Sequence, residues 1–239
     1  SLDLLHALLK AAGPNKRFIF VGDVDQLPSV GAGNCLRDMI ASLRIPTVKL
    51  TKIFRQGSES PIPVAARQII QGLKPNFTGV LYTPHFTKVE SFAFIPCSKE
   101  TFFDALVPFL KETTQKIYNL DPAKDCQILV PMRRSEVGGE NINKTIQSVL
   151  NPNLLSKTEY QHPGGFCVRT HDKVIQTKNN YELDVFNGDL GFVRKIEKVQ
   201  DSLEITVDYS HKSVTYIDEQ AEELQLCYAM TIHKSQGSE

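Results

Sequence analysis

Short apolar runs that end in polar blocks are the feature that most constrains this chain of 239 residues. Such runs occupy residues 17–23, 126–132 and 224–230. Short apolar runs bounded by Gly, Pro or polar residues are typical of parallel strands that are buried on both faces. Strands of this kind that alternate with helices predict an α/β fold, in which ligands bind beyond the carboxyl ends of the strands.

Hydrophobic periodicity predicts the remaining elements. It indicates helices at 2–12, 34–43, 61–71, 99–117 and 139–150, and short strands at 48–50 and 90–97. After about residue 163 the period changes from helical to alternating. The alternating segments at 172–177, 190–199, 203–209 and 213–218 are separated by turn residues, which predicts a small antiparallel β module.

The order of these elements predicts the domain organisation. We expect residues 1–72 to be the carboxyl-terminal part of a first α/β domain. A second α/β domain would comprise 73–162 and 224–239, with the β module at 163–223 inserted into it. The chain starts with Ser1 rather than Met, so we expect it to be an internal piece of a longer protein.

Composition excludes several classes of protein. Lys and Arg total 27, as do Asp and Glu, so net charge provides no argument for nucleic acid. The five cysteines are widely spaced without a C-x-x-C pair, which disfavours a disulfide framework or a zinc site and favours the cytoplasm. No apolar run is long enough to span a membrane, and no metal site is expected.

The block GDVDQLPSVGAG follows the first apolar run. Gly22 lets backbone approach a phosphate closely, and Asp23 would hold a water or lie near a metal's ligands. Gln26 both donates and accepts hydrogen bonds, which suits a terminal phosphate and its attacking water. Arg55, in Phe54-Arg55-Gln56, is a permanent cation suited to a phosphate. By itself, each block is also compatible with an ordinary turn or a solvated arginine.

Two further blocks carry candidate ligand contacts. Thr231, His233, Lys234 and Ser235 precede a helix start, which suits phosphate binding, and Glu239 could accept from a ribose hydroxyl. Within 172–191, the segment Asn179-Asn180-Tyr181 offers amides and one ring to a single nucleic-acid strand. The alternative, purely structural interpretation of that segment is a hairpin with an Asn-Gly turn.

Together these blocks resemble the helicase motifs of superfamily 1, most closely its RecD-like branch, which includes the alpha subunit of exodeoxyribonuclease V. GDVDQLPSVGAG resembles the third motif, LTKIFRQ the fourth and YAMTIHKSQGSE the fifth. DKVIQTKNNYELDVFNGDLG is similar to the segment that leads into the family's small inserted barrel. The resemblance implies RecA-like, doubly wound motor domains with an inserted antiparallel β-barrel.

The same resemblance implies roles for individual residues. Gln26 would sense the γ-phosphate of ATP and Arg55 would contact it from across a cleft. Gly237 and Glu239 would face the nucleotide. Residues lying along single-stranded DNA would be Thr231, His233, Lys234 and Ser235, with help from the barrel segment containing Asn179, Asn180 and Tyr181. The family moves 5′ to 3′, uses ATP and Mg²⁺, and has members that work with other exonuclease V subunits.

The chain also departs from the family's pattern. It lacks the phosphate-binding loop G-x-x-x-x-G-K-[ST], the Asp-Glu pair that handles Mg²⁺, and the sixth motif, so we expect it to be inactive alone. His171 stands where the family usually has Gly. The main alternative is a non-catalytic module, derived from a helicase, that binds single-stranded nucleic acid. A nucleotide-binding metabolic enzyme is a further alternative.

Overall fold

The computed structural model of the chain describes residues 1–50, 60–77, 79–80, 92–153 and 158–236. It falls into two compact units, Ser1–Phe77 and Thr78–Glu239. The predicted domain boundaries at 72/73, 162/163 and 223/224 stay predictions.

The first unit contains three described helices. They are α1 Leu2–Ala12, α2 Cys35–Ala41 and α3 Pro61–Ile70. Each lies where periodicity predicts a helix, and Pro61 at the start of α3 costs no hydrogen bond in the first turn. The backbone amide of Leu2 donates to the carbonyl of Ala32 at 2.9 Å, which holds the start of α1 against the loop that precedes α2.

The predicted buried strands at 17–23 and 48–50 are wrong for this structure. Neither segment forms a strand. Ile19 and Val21 are 91% and 92% exposed, and Val48 and Leu50 are each 88% exposed. Parallel strands are held by hydrogen bonds to neighbouring strands and by helices on both faces. Among the described residues of the first unit, no strand is present to provide that pairing.

The second unit is built around a parallel pair of strands. β1 Gly79–Val80 and β2 Ala93–Phe94 form a short separate pair. Helix α4 Phe102–Pro108 continues into a π-helical segment, Phe109–Ile117, so the predicted helix at 99–117 is present with a widened second half. β3 Ile128–Val130 pairs in parallel with β11 Ala229–Thr231. Helix α5, Gly139–Leu150, buries Ile142 and Ile146 in one cluster with Val130 and Ala229.

An antiparallel sheet lies between β3 and β11 in the chain. Its strands are β6 Lys173–Gln176, β7 Leu190–Val199, β8 Ser202–Tyr209, β9 Ser213–Ile217 and β10 Leu224–Leu226, in the order β10-β6-β7-β8-β9. A 3-10 turn, Asp218–Glu223, connects β9 to β10. The α/β class and the inserted antiparallel module are therefore confirmed. Among the described strands β9 and β10 do not pair with each other, so the predicted barrel is not closed.

Two details differ from the predicted strands. The run 224–230 is not one strand, because β10 pairs antiparallel with β6 whereas β11 pairs with β3. A hairpin of β4 Glu159–His162 and β5 Phe166–Arg169 precedes β6 and has no counterpart among the predicted strands. The core of the module is aliphatic and aromatic; it includes Val174, Val193, Ile205, Val207 and Tyr216. A final short helix, α6 Ile232–Ser235, follows β11 directly.

Candidate functional site

In the first unit, Asp23 and Gln26 form one local arrangement. Asp23 accepts the backbone amide of Asp25 on Oδ1 at 2.9 Å and the Nε2 of Gln26 on Oδ2 at 3.2 Å. Both side chains lie on the exposed surface of the loop. The carboxylate therefore orients the Gln26 amide.

The glycines of this loop have structural reasons to be glycine. A Cβ on Gly22 would lie 2.7 Å from the Leu36 Cδ2 of α2. Gly33 adopts φ +90°, and a Cβ there would lie 3.0 Å from the Cβ of Leu2. Close approach to helices therefore explains both positions, and phosphate binding by Gly22 stays a prediction. Arg55, Gly237 and Glu239 lie outside the described residues.

In the second unit, Thr231 begins α6 at the carboxyl end of β11. Its Oγ1 accepts the backbone amide of Lys234 at 3.3 Å, which caps the helix start. The Ser235 hydroxyl donates to the Ile232 carbonyl at 2.9 Å, and His233 is exposed. Thr231 and Ser235 therefore have local structural bonds, whereas Lys234 extends away from α6.

Lys234 is held by one hydrogen bond to the antiparallel module. Its Nζ donates to the Gln225 Oε1 of β10 at 3.0 Å. Burial lowers the pKa of Lys234, and the nearby charge of Arg133 lowers it further. Burial also raises the pKa of the neighbouring Cys227 thiol to about 12, so this cysteine stays a neutral thiol. Two positive side chains, Lys234 and Arg133, thus lie close enough to repel each other.

The parallel pairing of β3 with β11 explains why Arg133 and Lys234 lie close together. β3 and β11 run in the same direction, so the segment after β3 and the block after β11 leave the same sheet edge. Between them lies a cleft of about 80 Å³ whose lining includes Arg133, Gln225, Thr231 and Lys234. Arg133 was missed by sequence reasoning. The apolar run at 126–132 is followed directly by Arg133 and Arg134, so the rule applied to the other strand ends would have found Arg133.

The Asn179–Tyr181 segment lies at one end of the antiparallel module. The backbones of Asn180 and Val185 exchange both hydrogen bonds, at 2.8 and 3.0 Å, and the Asn180 Nδ2 donates to Glu223 at 3.1 Å. The Asn179 Oδ1 accepts the amide of Asn187 at 3.0 Å. Tyr181 is 78% exposed. The amides therefore stabilise the loop, and the Tyr181 ring is the part most accessible to a ligand.

Asp172 is a buried carboxylate that joins the module to the α/β core. Oδ1 accepts from Asn151 Nδ2 at 2.6 Å and the Tyr228 hydroxyl at 2.8 Å; Oδ2 accepts from Gln147 Nε2 at 2.5 Å and the Arg169 amide at 2.7 Å. Burial raises the pKa of Asp172, while these hydrogen bonds oppose that change. The side chain therefore ties α5 and the segment before β11 to the start of β6.

His171, beside Asp172, adopts a left-handed backbone conformation with φ +73°. The family that the sequence motifs resemble usually has Gly at this position. Glycine adopts the left-handed region without strain. The turn geometry is therefore compatible with glycine at this position, although the side chain here is His.

The described residues contain no group of three or more His, Cys, Asp or Glu side chains placed to hold a metal ion. Likewise, no helix in the described part of the chain is long and apolar enough to cross a bilayer.

Comparison with known proteins supports the resemblance found in the motifs. A family model described as "ATP-dependent RecD-like DNA helicase SH3 domain" matches residues 142–209, and an "AAA domain" model matches residues 1–83. The first match covers most of α5 and most of the inserted module, and the second covers the unit that contains Asp23 and Gln26.

Curated relatives align along almost the entire chain. An ATP-dependent RecD2 DNA helicase from Deinococcus radiodurans is 32% identical over 241 residues, which is 99% of this chain and 29% of the relative. A RecBCD enzyme subunit RecD from Mycolicibacterium smegmatis is 28% identical over 250 residues, which is 100% of this chain and 41% of that protein. The chain thus spans less than half of either relative.

Among solved structures, a Bacteroides Pif1 helicase in complex with ADP-AlF3 and single-stranded DNA is similar with a TM-score of 0.45 and 18% identity. The match covers 90% of this chain and 52% of that protein.

Proposed function

Because the chain belongs to the RecD-like family of helicases, we propose that it supplies part of the ATP and single-stranded DNA contacts of an ATP-driven DNA translocase. In the complete protein, ATP hydrolysis would drive movement along single-stranded DNA in the 5′ to 3′ direction. The chain spans 29% of its RecD2 relative, so this activity is assigned to the full-length protein.

The observation that carries the proposal is the position of the Thr231–Ser235 block. It follows a parallel strand directly and begins a helix, and its Lys234 projects over a cleft that also contains Arg133. Positive side chains at the carboxyl edge of parallel strands favour a phosphate ligand. We assign Thr231, His233, Lys234 and Ser235 to the DNA backbone, and Tyr181, with Asn179 and Asn180 shaping its loop, to a base.

On the nucleotide side, we assign the terminal phosphate of ATP to Gln26 and Arg55. The hydrogen bond from Gln26 to Asp23 supports this role for Gln26, because a preoriented amide loses less entropy when it binds. Gly22, Gly237 and Glu239 would lie around the same nucleotide. The described residues offer no ligand set for Mg²⁺, so no step is assigned to a metal in this chain.

DNA-stimulated ATP hydrolysis by the full-length protein tests the proposal. We expect single-stranded DNA to stimulate hydrolysis strongly and Arg55→Ala to lower the rate on the order of a thousand-fold, because a cation that stabilises the transferred phosphoryl group is lost. Arg67→Ala, which removes an exposed cation from α3, is the matched control and should retain the rate.

The contrary outcome is also informative. A hydrolysis rate that does not change with DNA, or that is unaffected by Arg55→Ala, would contradict the proposed motor function. It would favour a module that only binds nucleic acid. The 239-residue chain alone should show no turnover, since the sequence carries no phosphate-binding loop.

A further inference from the structure

We propose that the cleft between α5 and β10 is an additional binding site for the phosphodiester backbone of a single DNA strand, with Arg133 and Lys144 as its phosphate contacts. The inference rests on the proposed function, because it extends the path assigned to Thr231 and Lys234. It adds residues that lie outside the helicase motif blocks.

Two adjoining cavities make the cleft continuous. One, of about 80 Å³, has Thr231 and Lys234 in its lining, and the other, of about 40 Å³, has Lys144. Both are lined by Arg133 and Gln225. A strand that contacts Lys234 can therefore continue past Arg133 to Lys144 without leaving the cleft.

The charges along the cleft favour an anion. Glu140 is the carboxylate in the lining, and its Oε1 is shared by Arg133 Nε at 2.9 Å and Arg134 Nε at 3.4 Å. The lining therefore holds one carboxylate against three cations, Arg133, Lys144 and Lys234. In a chain with zero formal net charge, this excess is local. Arg133 also lowers the pKa of Lys234, and an anion between the two cations would relieve their repulsion.

Other polar groups of the cleft are already engaged. The Asn143 amide is engaged with the backbone of Ala229, donating at 2.8 Å and accepting at 2.8 Å. At the start of α5, the amides of Gly138, Gly139 and Glu140 donate to the carbonyls of the preceding loop. These backbone amides are therefore not available to a ligand. The phosphate contacts would come from the long cationic side chains instead.

The wall of the cleft opposite the cations is apolar, which suits contact with a sugar. Phe166 lines it, and its ring stacks on His162 with centroids 4.3 Å apart and an interplanar angle of 16°. Gly164 borders the same wall, where a Cβ would lie 3.0 Å from the Phe166 ring. Cations on one side and an aromatic wall on the other suit a single strand, whose backbone is charged and whose sugars and bases are not.

A salt series tests the assignment. Binding of a fluorescein-labelled oligothymidylate to the 239-residue chain would be followed by fluorescence anisotropy at increasing NaCl. We expect Arg133→Ala and Lys144→Ala each to raise Kd roughly tenfold, because each removes one charge-assisted contact. Each should also lower the slope of log Kd against log salt by about 0.7, the value for one phosphate on a single strand. A purely structural role would leave that slope unchanged.

Two variants provide controls of opposite kinds. Lys198→Ala removes an exposed lysine from β7 and should leave both Kd and slope at wild-type values. Glu140→Gln frees Arg133 from its ion pair and should tighten binding. Circular dichroism melting curves would verify that every variant is folded.

The outcomes separate this inference from the proposed function. If the wild-type chain binds the oligonucleotide and the Arg133 and Lys144 variants keep its slope, only the cleft assignment is overturned. If the wild-type chain does not bind, the proposed DNA contacts fail as well. Displacement of the oligonucleotide by ATP from wild type, but not from Arg133→Ala, would assign the cleft to a nucleotide and overturn the inference.

Discussion

The apolar run at 17–23 belongs to the first unit and the run at 126–132 to the second, and the two are similar in sequence but differ in structure. In the run at 17–23, Val21 is 92% exposed and no strand forms. In the run at 126–132, Val130 is 4% exposed, within a strand that pairs with β11 and is covered by α5. The difference shows that an apolar run is buried only where the chain also provides a neighbouring strand and a covering helix.

The two units also differ in how many of their described residues are buried in a core. Ala65 is the buried core residue found in the described part of the first unit, whereas the second contains an aliphatic core beneath α5 and another inside the antiparallel module. The residues proposed as ligand contacts on the second unit are therefore supported by packed elements. Those on the first, such as Gln26, depend on local hydrogen bonds within a loop.

The largest effect should come from removing the carboxylate that joins the two halves of the second unit. Asp172→Ala removes the acceptor of four hydrogen bonds, three of which are buried. We expect the free energy of unfolding to fall by on the order of 3 kcal/mol. Amide hydrogen exchange, followed separately for peptides of the two units, should show the loss in the second unit only. Glu136→Ala, on the surface, is the control, and an effect below about 1 kcal/mol for Asp172→Ala would contradict this role.

A matched pair of substitutions tests the contrast between the two apolar runs directly. Val130→Ala should lower the stability of the second unit by roughly 2 kcal/mol, because it creates a cavity beneath α5. Val21→Ala should change the stability of the first unit by no more than about 0.5 kcal/mol, because its side chain is already exposed. Chemical denaturation with hydrogen exchange distinguishes the two. Equal losses would show that residues 17–23 are buried in solution and that the two runs do not differ.

The smallest predicted effect concerns pH. Burial raises the pKa of Cys227 from 9.0 to about 12, although the charges of Lys173 and Lys234 oppose this. A raised folded-state pKa stabilises the fold fully below pH 9, and this contribution is lost as pH rises from 9 towards 12. Between about pH 8 and about pH 10, wild type should lose about 1 kcal/mol more than Cys227→Ala.

Urea denaturation at each pH would measure that difference. Cys97→Ala removes an exposed thiol and should keep the wild-type dependence on pH. Parallel pH profiles for wild type and Cys227→Ala would show that the thiol ionises without unfolding, and hence that the interior of the second unit is open to solvent.

Much of the local structure was predictable from sequence. The helices at 2–12 and 139–150 and the strand at 190–199 have the predicted bounds. Residues with period 3.6 or 2 carry this information within a single element. The division of 224–230 was not predictable, because Leu224–Leu226 and Ala229–Thr231 are equally apolar and only their pairing partners differ.

The candidate site was predictable in part. The block at 231–235 was found because it follows an apolar run and resembles a helicase motif. Arg133 also follows an apolar run, so the same rule applies to it. Lys144 could not be found in this way, because α5 and β10, which border its cleft, are distant in sequence. For Asn179 and Asn180, the sequence shows polar amides but not the partners Asn187 and Glu223 that engage them.

Sequence alone was sufficient to locate most helices, to predict an antiparallel module, and to find the resemblance to RecD-like helicases. Three features emerged only with the tertiary structure: which apolar runs are buried, the joining of module and core by Asp172, and the meeting of Arg133 with Lys234 at one sheet edge. The cause is the range of the interactions involved. Helix periodicity and turns arise from residues a few positions apart, whereas strand pairing, burial and charge clustering depend on residues far apart in the chain.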